Sequence, residues 1–315
     1  MRITDYKEGD EIQILALFKL AFKKEMSMEF WNWRYKQNPY DSDLKIKLMW
    51  DGDLLVGHYA VSPLYLKINN QICHAAISMT TMTHPNYMGK GIFKTLATEL
   101  YNDLEINSDY RLIWGFPNTN SHYAFIKNLN WLDINSIPML TLSDSNFEKF
   151  NQIEYQIINL FTEEHANILN SMNHDTETSV YKSVEYLNWR YIANPSYTYY
   201  SVSAKTDPKS FIIFKIYNSN NNFEIDILEI GSLTFEDSFI KLIEAILSYT
   251  KHNNLKINNI NLWWSIFNRN YQTIEKLNFT MNTPITYLAY RPLKSLKSDI
   301  QHNKWQFSLG DSDVF

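Results

Sequence analysis

The chain has 315 residues, of which 45% are hydrophobic; this length exceeds what one hydrophobic core usually supports, so we expect two domains. The net charge is −5 and no block of lysines or arginines occurs, so nucleic acid is not an expected partner. Cys73 is the only cysteine, which excludes an intrachain disulfide and a zinc site of clustered thiolates. Since neither a signal sequence nor a long apolar segment occurs, we expect a cytoplasmic protein without membrane association.

Hydrophobic spacing predicts that the first half of the chain mixes helices and strands. The predicted helices cover residues 10–22, 28–36, 91–104 and 121–128. The predicted strands cover residues 2–7, 44–50, 54–62, 64–67, 72–83, 111–116 and 138–142. Asp51-Gly52 lies between two apolar runs, which is a strong signal for a hairpin, so we expect antiparallel pairing there.

A repeat organises the whole sequence. The segment Glu29–Pro39 returns as Glu185–Pro195, with Glu, Asn, Trp, Arg, Tyr, Asn and Pro at matching positions. After it come predicted strands at 199–204, 211–217, 223–230 and 257–266, and predicted helices at 237–251 and around 274–279. We therefore predict two copies of one α+β unit, each with a mostly antiparallel mixed sheet flanked by helices.

The boundary between the copies is expected in the polar stretch 143–151, which gives an N-terminal domain 1–147 and a C-terminal domain 148–315. The repeated segment itself invites a functional interpretation. Because it occurs in both copies, we expect its prominent side chains to be structural; these are Trp33, Arg34, Trp189 and Arg190.

A glycine-containing loop is the clearest candidate for chemistry. A predicted strand ends at Thr83, a turn contains Gly89 and Gly91, and a helix follows. Such a helix start directs unpaired backbone N–H groups and the positive end of the helix dipole at one point, which suits an anion such as a phosphate. Lys90 adds a positive charge at the rim. An ordinary helix-entry turn would give the same local pattern.

The segment His84-Pro-Asn-Tyr-Met-Gly-Lys-Gly-Ile-Phe93 resembles the acetyl-CoA motif of the GNAT superfamily of N-acetyltransferases. The resemblance covers residues 1–142, and a degenerate second copy covers about 180–292. It implies an acyl-CoA co-substrate and no metal. It departs from the family at Met88, where Arg or Gln is usual, and at Phe93, where Gly or Ala is usual. The residues expected to bind the acyl-CoA are Met82, Thr83, Met88, Gly89, Lys90, Gly91, Ile92, Phe93, Asn118, Asn120 and Ser121.

Some assignments within this set have alternatives. Asn118, Asn120 and Ser121 either contact the pantetheine amides or only cap the following helix. In the second copy, the corresponding loop 230–235 has no Gly-x-Gly turn, so we expect it to bind no cofactor. The resemblance to larger tandem members implies that this silent half helps to shape the acceptor pocket.

The same resemblance implies direct attack of an amine on the thioester carbonyl, which a backbone N–H of Met82 or Thr83 would polarise. The position of the family's usual general acid, a tyrosine, is Ile126 here. Tyr123, one helical turn earlier, is the alternative acid, or else a packed aromatic. Asp311 or Asp313 in the C-terminal tail is a candidate base, or else part of an exposed acidic terminus. Four histidines are further candidate bases or structural residues: His58, His74, His84 and His122.

The acceptor is inferred from likeness alone. The run 114–121, the loop and the Gly-Asp-Ser-Asp tail resemble GNAT-type sugar N-acyltransferases of bacterial surface polysaccharide pathways. This implies a nucleotide-linked amino-deoxy sugar as acceptor, such as a dTDP-3-amino-3,6-dideoxyhexose, and an acetyl or larger acyl group such as hydroxybutanoyl. The alternatives are an aminoacyl or peptide N-acyltransferase of the cell-wall type, which uses charged transfer RNA, and a non-catalytic module that senses acyl-CoA. The sequence does not define the oligomeric state.

Overall fold

A computed structural model describes residues 1–40, 43–172, 177–219, 222–294, 296 and 300–313. The chain forms two compact units. Unit 1 comprises Met1–Leu66, Gln71–Asn135 and Tyr287–Asp299. Unit 2 comprises Lys67–Asn70, Ser136–Thr286 and Ile300–Phe315.

Unit 1 contains a mixed sheet in the order β1-β2-β3-β4-β5-β13. Its strands are β1 Arg2–Asp5, β2 Lys45–Asp51, β3 Leu54–Ile68, β4 Gln71–Thr83, β5 Leu112–Gly115 and the C-terminal part of β13 Thr280–Pro292. β2 pairs antiparallel with β1 and β3, whereas β4 pairs parallel with β5. The predicted hairpin is present, with Gly52 at φ +59° in the turn.

The separation of strands 54–62 and 64–67 is a wrong prediction, because β3 is one strand of 15 residues that runs through Pro63. A proline removes one N–H from the ladder but remains compatible with extended backbone.

Four helices cover the sheet of unit 1: α1 Glu11–Phe22, α2 Met28–Trp31, α3 Ile92–Asn107 and α4 His122–Leu129. A π-helical turn, Asn32–Lys36, continues α2. Two buried clusters show that both faces are covered. One contains Ile14, Leu17 and Trp31 from α1 and α2, and the other contains Leu96, Leu100 and Phe125 from α3 and α4.

Unit 2 repeats this arrangement with the sheet order β6-β12-β11-β10-β9-β7. Its strands are β6 Leu132–Ser143 from residue 136 onward, β7 Tyr155–Ile157, β8 Thr178–Tyr181, β9 Tyr199–Ala204, β10 Asp207–Ser219, β11 Asn222–Gly231 and β12 Ile257–Leu262. Its helices are α5 Glu163–Ser171, α6 Val184–Tyr191, α7 Phe235–His252 and α8 Tyr271–Lys276. β10 pairs antiparallel with β9 and β11, and β11 pairs parallel with β12.

The repeated sequence segment begins a helix with the same kind of N-cap in both units, although the helix continues as a π-helical turn in unit 1 and as a regular α-helix in unit 2. Ser27 Oγ accepts the Phe30 amide at the start of α2, and Ser183 Oγ accepts the Tyr186 amide at the start of α6. Trp33 is buried, and the buried Arg190 donates to Tyr199 Oη. The fold therefore consists of two copies of one α+β arrangement, as the sequence predicts.

The compact units differ from the predicted division at residue 147. The sheet of unit 1 includes residues 287–292, and the sheet of unit 2 includes residues 136–143. Hydrophobic periodicity reports which face of a strand is buried but not which sheet the strand joins, so it cannot detect this exchange. Within the described residues, the structure has no helix that is both long and apolar enough to span a bilayer.

Candidate active site

A gap opens in the sheet of unit 1 between β4 and β5. The Arg111 amide donates to the His74 carbonyl at 2.9 Å, and the strands then pair through Ala76 with Ile113 and through Ile77 with Trp114, where the described pairing ends. Beyond this pair Thr80 adopts a left-handed conformation, φ +50°, which is unfavourable for a β-branched residue and interrupts the extended backbone of β4; we refer to this irregular position as the bend.

His58 holds this bend from the neighbouring strand. Its Nδ1 lies 2.8 Å from the Thr80 carbonyl oxygen and must carry the proton, because a carbonyl oxygen only accepts. His58 has no exposed surface, and burial lowers the pKa of its imidazole to about 4. It is therefore neutral near pH 7, and its hydrogen bond to the Thr80 carbonyl gives it a structural role.

The glycine loop lies at the end of β4. Gly89 and Gly91 have φ +77° and +73°, and α3 begins at Ile92 without an acidic residue in its first turn. A Cβ at either glycine would meet nothing within 4 Å, so open space faces both positions and the backbone angle alone requires glycine. The first-turn amides of α3 have no intrahelical acceptor, which suits a bound anion.

Side-chain contacts within unit 1 hold the glycine loop in place. Tyr87 Oη donates to Asp51 Oδ2 at 2.7 Å, and Lys90 Nζ lies 4.2 Å from the centre of the Tyr87 ring. His84 Nδ1 accepts the Asn86 amide at 3.2 Å, which gives this histidine a structural role as well. A fixed loop binds an anion with little loss of conformational entropy.

The hydrogen-bonding groups of the turn between β5 and α4 bond to one another. Asn118 Oδ1 accepts the amides of Asn120 and Ser121 at 3.0 and 3.1 Å. The Asn118 side chain therefore stabilises the turn before the helix, whereas Ser121, the residue that precedes α4, makes no side-chain cap hydrogen bond. Tyr123 is 69% exposed, so its interpretation as a packed aromatic is wrong, while Ile126 is partly buried against the core.

The two remaining candidate histidines also have partners. His74 contacts Asp109 Oδ1 and Tyr65 Oη at 2.7 and 2.6 Å. His122 Nε2 lies 2.6 Å from Asp133 Oδ1, and its ring stacks on Tyr287 with 3.9 Å between centroids.

Asp311 lies in unit 2, whereas the other candidate site residues lie in unit 1. It is buried, and Lys182 Nζ lies 2.8 Å from Asp311 Oδ1 and 3.0 Å from Glu229 Oε2. An exposed acidic terminus is therefore the wrong interpretation for Asp311. Residues 314 and 315 of the tail lie outside the described residues.

Sequence reasoning missed a buried polar network beside the gap. It joins Ser78, Tyr59, Tyr101 and Trp131, which are widely separated in the chain and show no common motif. Among the residues that the structure describes, no three His, Cys, Asp or Glu side chains are grouped as metal ligands.

Comparison with known proteins agrees with this geometry. Residues 2–132 match the profile of the acetyltransferase (GNAT) domain, and no curated protein matches the chain. A GCN5-related N-acetyltransferase from Anabaena variabilis is similar in structure, with a TM-score of 0.70 and 13% identity over 92% of this chain and 72% of that one.

Two further structures are also similar. A probable N-acyltransferase from Enterococcus faecalis, described as a conserved protein of unknown function, has a TM-score of 0.68 and 12% identity over 92% of this chain and 72% of that one. Saccharomyces cerevisiae N-myristoyltransferase with bound myristoyl-CoA has a TM-score of 0.62 and 10% identity over 96% of this chain and 87% of that one. Residues 2–132 thus match the model of the GNAT acetyltransferase domain, and the overall fold is similar to that of these three structures.

Proposed function

We propose that the protein is an acyl-CoA-dependent N-acyltransferase and that unit 1 binds the acyl-CoA. The observation that carries this proposal is the open glycine loop. Gly89 and Gly91 have positive φ angles, face open space and introduce a 16-residue helix whose first turn contains no carboxylate. Backbone amides in this arrangement suit the pyrophosphate of coenzyme A.

The pantetheine arm would enter the gap between β4 and β5. Backbone N–H groups of the gap are then free to pair with the arm and the thioester, because β5 pairs with β4 only as far as Ile77. A backbone N–H of β4 beside the gap would polarise the carbonyl. A neutral amine attacks the carbonyl carbon, the C–N bond forms, the C–S bond breaks and coenzyme A leaves as the thiolate.

The proposed acceptor is a nucleotide-linked amino-deoxy sugar. This part of the proposal rests on the likeness of the run 114–121 to sugar N-acyltransferases. In the fold this run contains the end of β5 and the turn into α4, beside the gap in which the thioester would lie.

A second candidate function is a non-catalytic acyl-CoA sensor. The observation that favours it is Ile126, an apolar and partly buried residue at the position of the usual general acid. The two functions share the binding site and differ in turnover.

Thermal denaturation with coenzyme A or acetyl-CoA tests the shared site. A ligand that binds only the folded protein raises Tm, and we expect this rise in the wild type but not in Gly91→Trp, whose indole would fill the space at the loop. Gly52→Trp is the matched control, since Gly52 also has a positive φ, +59°, and faces open space. It should carry a similar backbone strain and keep the ligand-induced rise.

No rise with any acyl-CoA in the wild type would overturn the proposal. A rise that survives in Gly91→Trp would place the ligand elsewhere. Release of free thiol with nucleotide-amino-sugar acceptors then separates the enzyme from the sensor.

A further inference from the structure

Four side chains of unit 1 form a hydrogen-bonded chain that ends at the gap. Trp131 Nε1 lies 3.1 Å from Tyr101 Oη, which lies 2.7 Å from Tyr59 Oη. Tyr59 Oη in turn lies 2.9 Å from Ser78 Oγ. Tyr59, Tyr101 and Trp131 are each at most 2% exposed, whereas Ser78 is half-buried.

The chemistry of these groups gives the chain a direction. The Trp131 indole can only donate, so Tyr101 accepts from it and directs its own hydrogen to Tyr59. The reverse direction would leave the buried Tyr101 O–H without an acceptor within this network, which is costly. Tyr59 therefore donates to Ser78, and the hydrogen of Ser78 is left to point away from the network. Hydrogen bonds in series also polarise one another, which strengthens Ser78 as a donor.

The position of Ser78 is the second part of the argument. It directly follows Ile77, the last β4 residue paired with β5, and a Cβ on Gly115 would lie 3.6 Å from Ser78 Cβ. Ser78 thus lies where the two strands begin to separate. Its network partners belong to the cluster that α3 and α4 cover.

The network is also linked to the glycine loop. Phe93, in the first turn of α3, packs on the Tyr59 ring with 5.7 Å between centroids, and on Phe125 at 5.1 Å. The unusual phenylalanine after the loop therefore contacts the network as well as the helix α4.

We infer that the Ser78 hydroxyl donates a hydrogen bond to the thioester sulfur as it becomes a thiolate. This inference rests on the proposed function and gives Ser78 the role that Ile126 cannot perform. No proton leaves Ser78: the C–S bond breaks, its electron pair remains on sulfur, and the hydrogen bond stabilises that charge. The proton that finally neutralises the thiolate equals the one that the attacking amine loses, and solvent can carry it.

The first test needs no acceptor. Coenzyme A bound to the wild type is titrated by the ultraviolet absorbance of its thiolate and compared with coenzyme A bound to Ser78→Ala. We expect the proton affinity of the bound thiolate to be about tenfold higher in Ser78→Ala, since one donor to a charged group is lost. Ser78→Thr keeps the hydroxyl and should titrate like the wild type.

Turnover gives the second test. With acetyl-CoA and a nucleotide-amino-sugar acceptor, or with water as acceptor in slow hydrolysis, Ser78→Ala should lower kcat about 100-fold and leave the KM for acetyl-CoA unchanged. Tyr101→Phe keeps Ser78 but removes the hydroxyl that donates to Tyr59, so Tyr59 is no longer obliged to donate to Ser78. This variant should lower kcat by a smaller factor, about tenfold. Tyr65→Phe deletes a hydroxyl outside the network, which bonds to His74, and should leave kcat unchanged.

The outcomes separate this inference from the proposed function. If coenzyme A binds and Ser78→Ala titrates and turns over like the wild type, the role of Ser78 is wrong and the proposed function stands. If the wild type binds no coenzyme A, both fail. Loss of the ligand-induced rise in Tm in Ser78→Ala would assign Ser78 to binding and would likewise overturn its role at the sulfur.

Discussion

The two units contain the same strand–loop–helix segment, but they differ in what lies on the strand before the loop. Each has an irregular residue in the strand before the loop, Thr80 in β4 and Leu228 in β11, where the register slips between Ile227 and Glu229. In unit 2 the C-terminal tail lies on that irregular residue, because a Cβ at Gly310 would lie 3.0 Å from the Leu228 carbonyl oxygen and would collide with Tyr191. The tail therefore covers β11 just before the loop of unit 2.

The two loops also differ in how well they suit a bound phosphate. The first turn of α3 contains no acidic residue, whereas that of α7 contains Glu236 and Asp237. The Ser232 amide at the unit 2 loop donates to Met172 Sδ at 3.1 Å. Carboxylates and an occupied amide both oppose a phosphate. A repeated fold therefore conserves the shape of a site more readily than its chemistry, which a few side chains decide.

The largest predicted effect concerns the buried ion pairs that hold the C-terminal tail in unit 2. Lys182→Met would leave Glu229 and Asp311 buried without their cation, and we expect the free energy of unfolding to fall by about 3–5 kcal/mol. Urea denaturation measures this loss. Lys205→Met is the control, because the Lys205–Glu154 pair is exposed and should contribute no more than about 1 kcal/mol. Equal effects of the two variants would show that the buried ion pairs do not hold the tail in place.

The second prediction concerns the bend that opens the gap of unit 1. The pKa of His58 is about 4 in the folded protein and about 6.5 when unfolded, so between these values only the unfolded state binds the proton. The contribution of His58 to stability is present above about pH 6.5 and is lost as the pH falls towards 4, a loss of about 3 kcal/mol at 1.36 kcal/mol per pH unit.

The measurement compares wild type with His58→Asn, whose amide can donate from the position of Nδ1 and does not titrate. Urea denaturation at several pH values should show the wild type losing stability relative to the variant below pH 6.5. Burial raises the pKa of Asp226 to about 6, which acts in the opposite direction, but this group is present in both proteins and cancels. Parallel curves would mean that His58 has the same pKa in the folded and unfolded states, which contradicts the prediction.

The smallest predicted effect comes from a carboxylate placed at the start of α3, where unit 2 has carboxylates at the start of α7. Lys94→Glu places a carboxylate in the first turn of α3 and should weaken coenzyme A binding about two- to fivefold in calorimetry. Lys24→Glu makes the same charge change away from the loop and should have no effect. The reverse change, Glu236→Gln with Asp237→Asn, should create no second binding site, because Met172 still occupies the Ser232 amide. A second equivalent of bound coenzyme A would contradict this comparison.

Much of the fold follows from local patterns. The hairpin at Gly52, the helix after Gly91 and the two copies of the Trp-Arg-Tyr segment lie where periodicity and turn residues predict them. The sequence prediction did not include the short strands β7 and β8, the helix α5 or the strand β13. β7 and β8 contain too few residues to establish a period, and the partners with which β13 pairs are distant in the chain.

The sequence by itself determined the repeat, the two α+β copies and the loop at Gly89 and Gly91, because each depends on residues that are close together in the chain. Only the tertiary structure decided which strands complete each sheet, that Asp311 is buried beside Lys182, and that Ser78 ends a chain of hydrogen bonds from Trp131. These features depend on contacts between residues that are far apart in the sequence, and such contacts leave no local signal in a single chain.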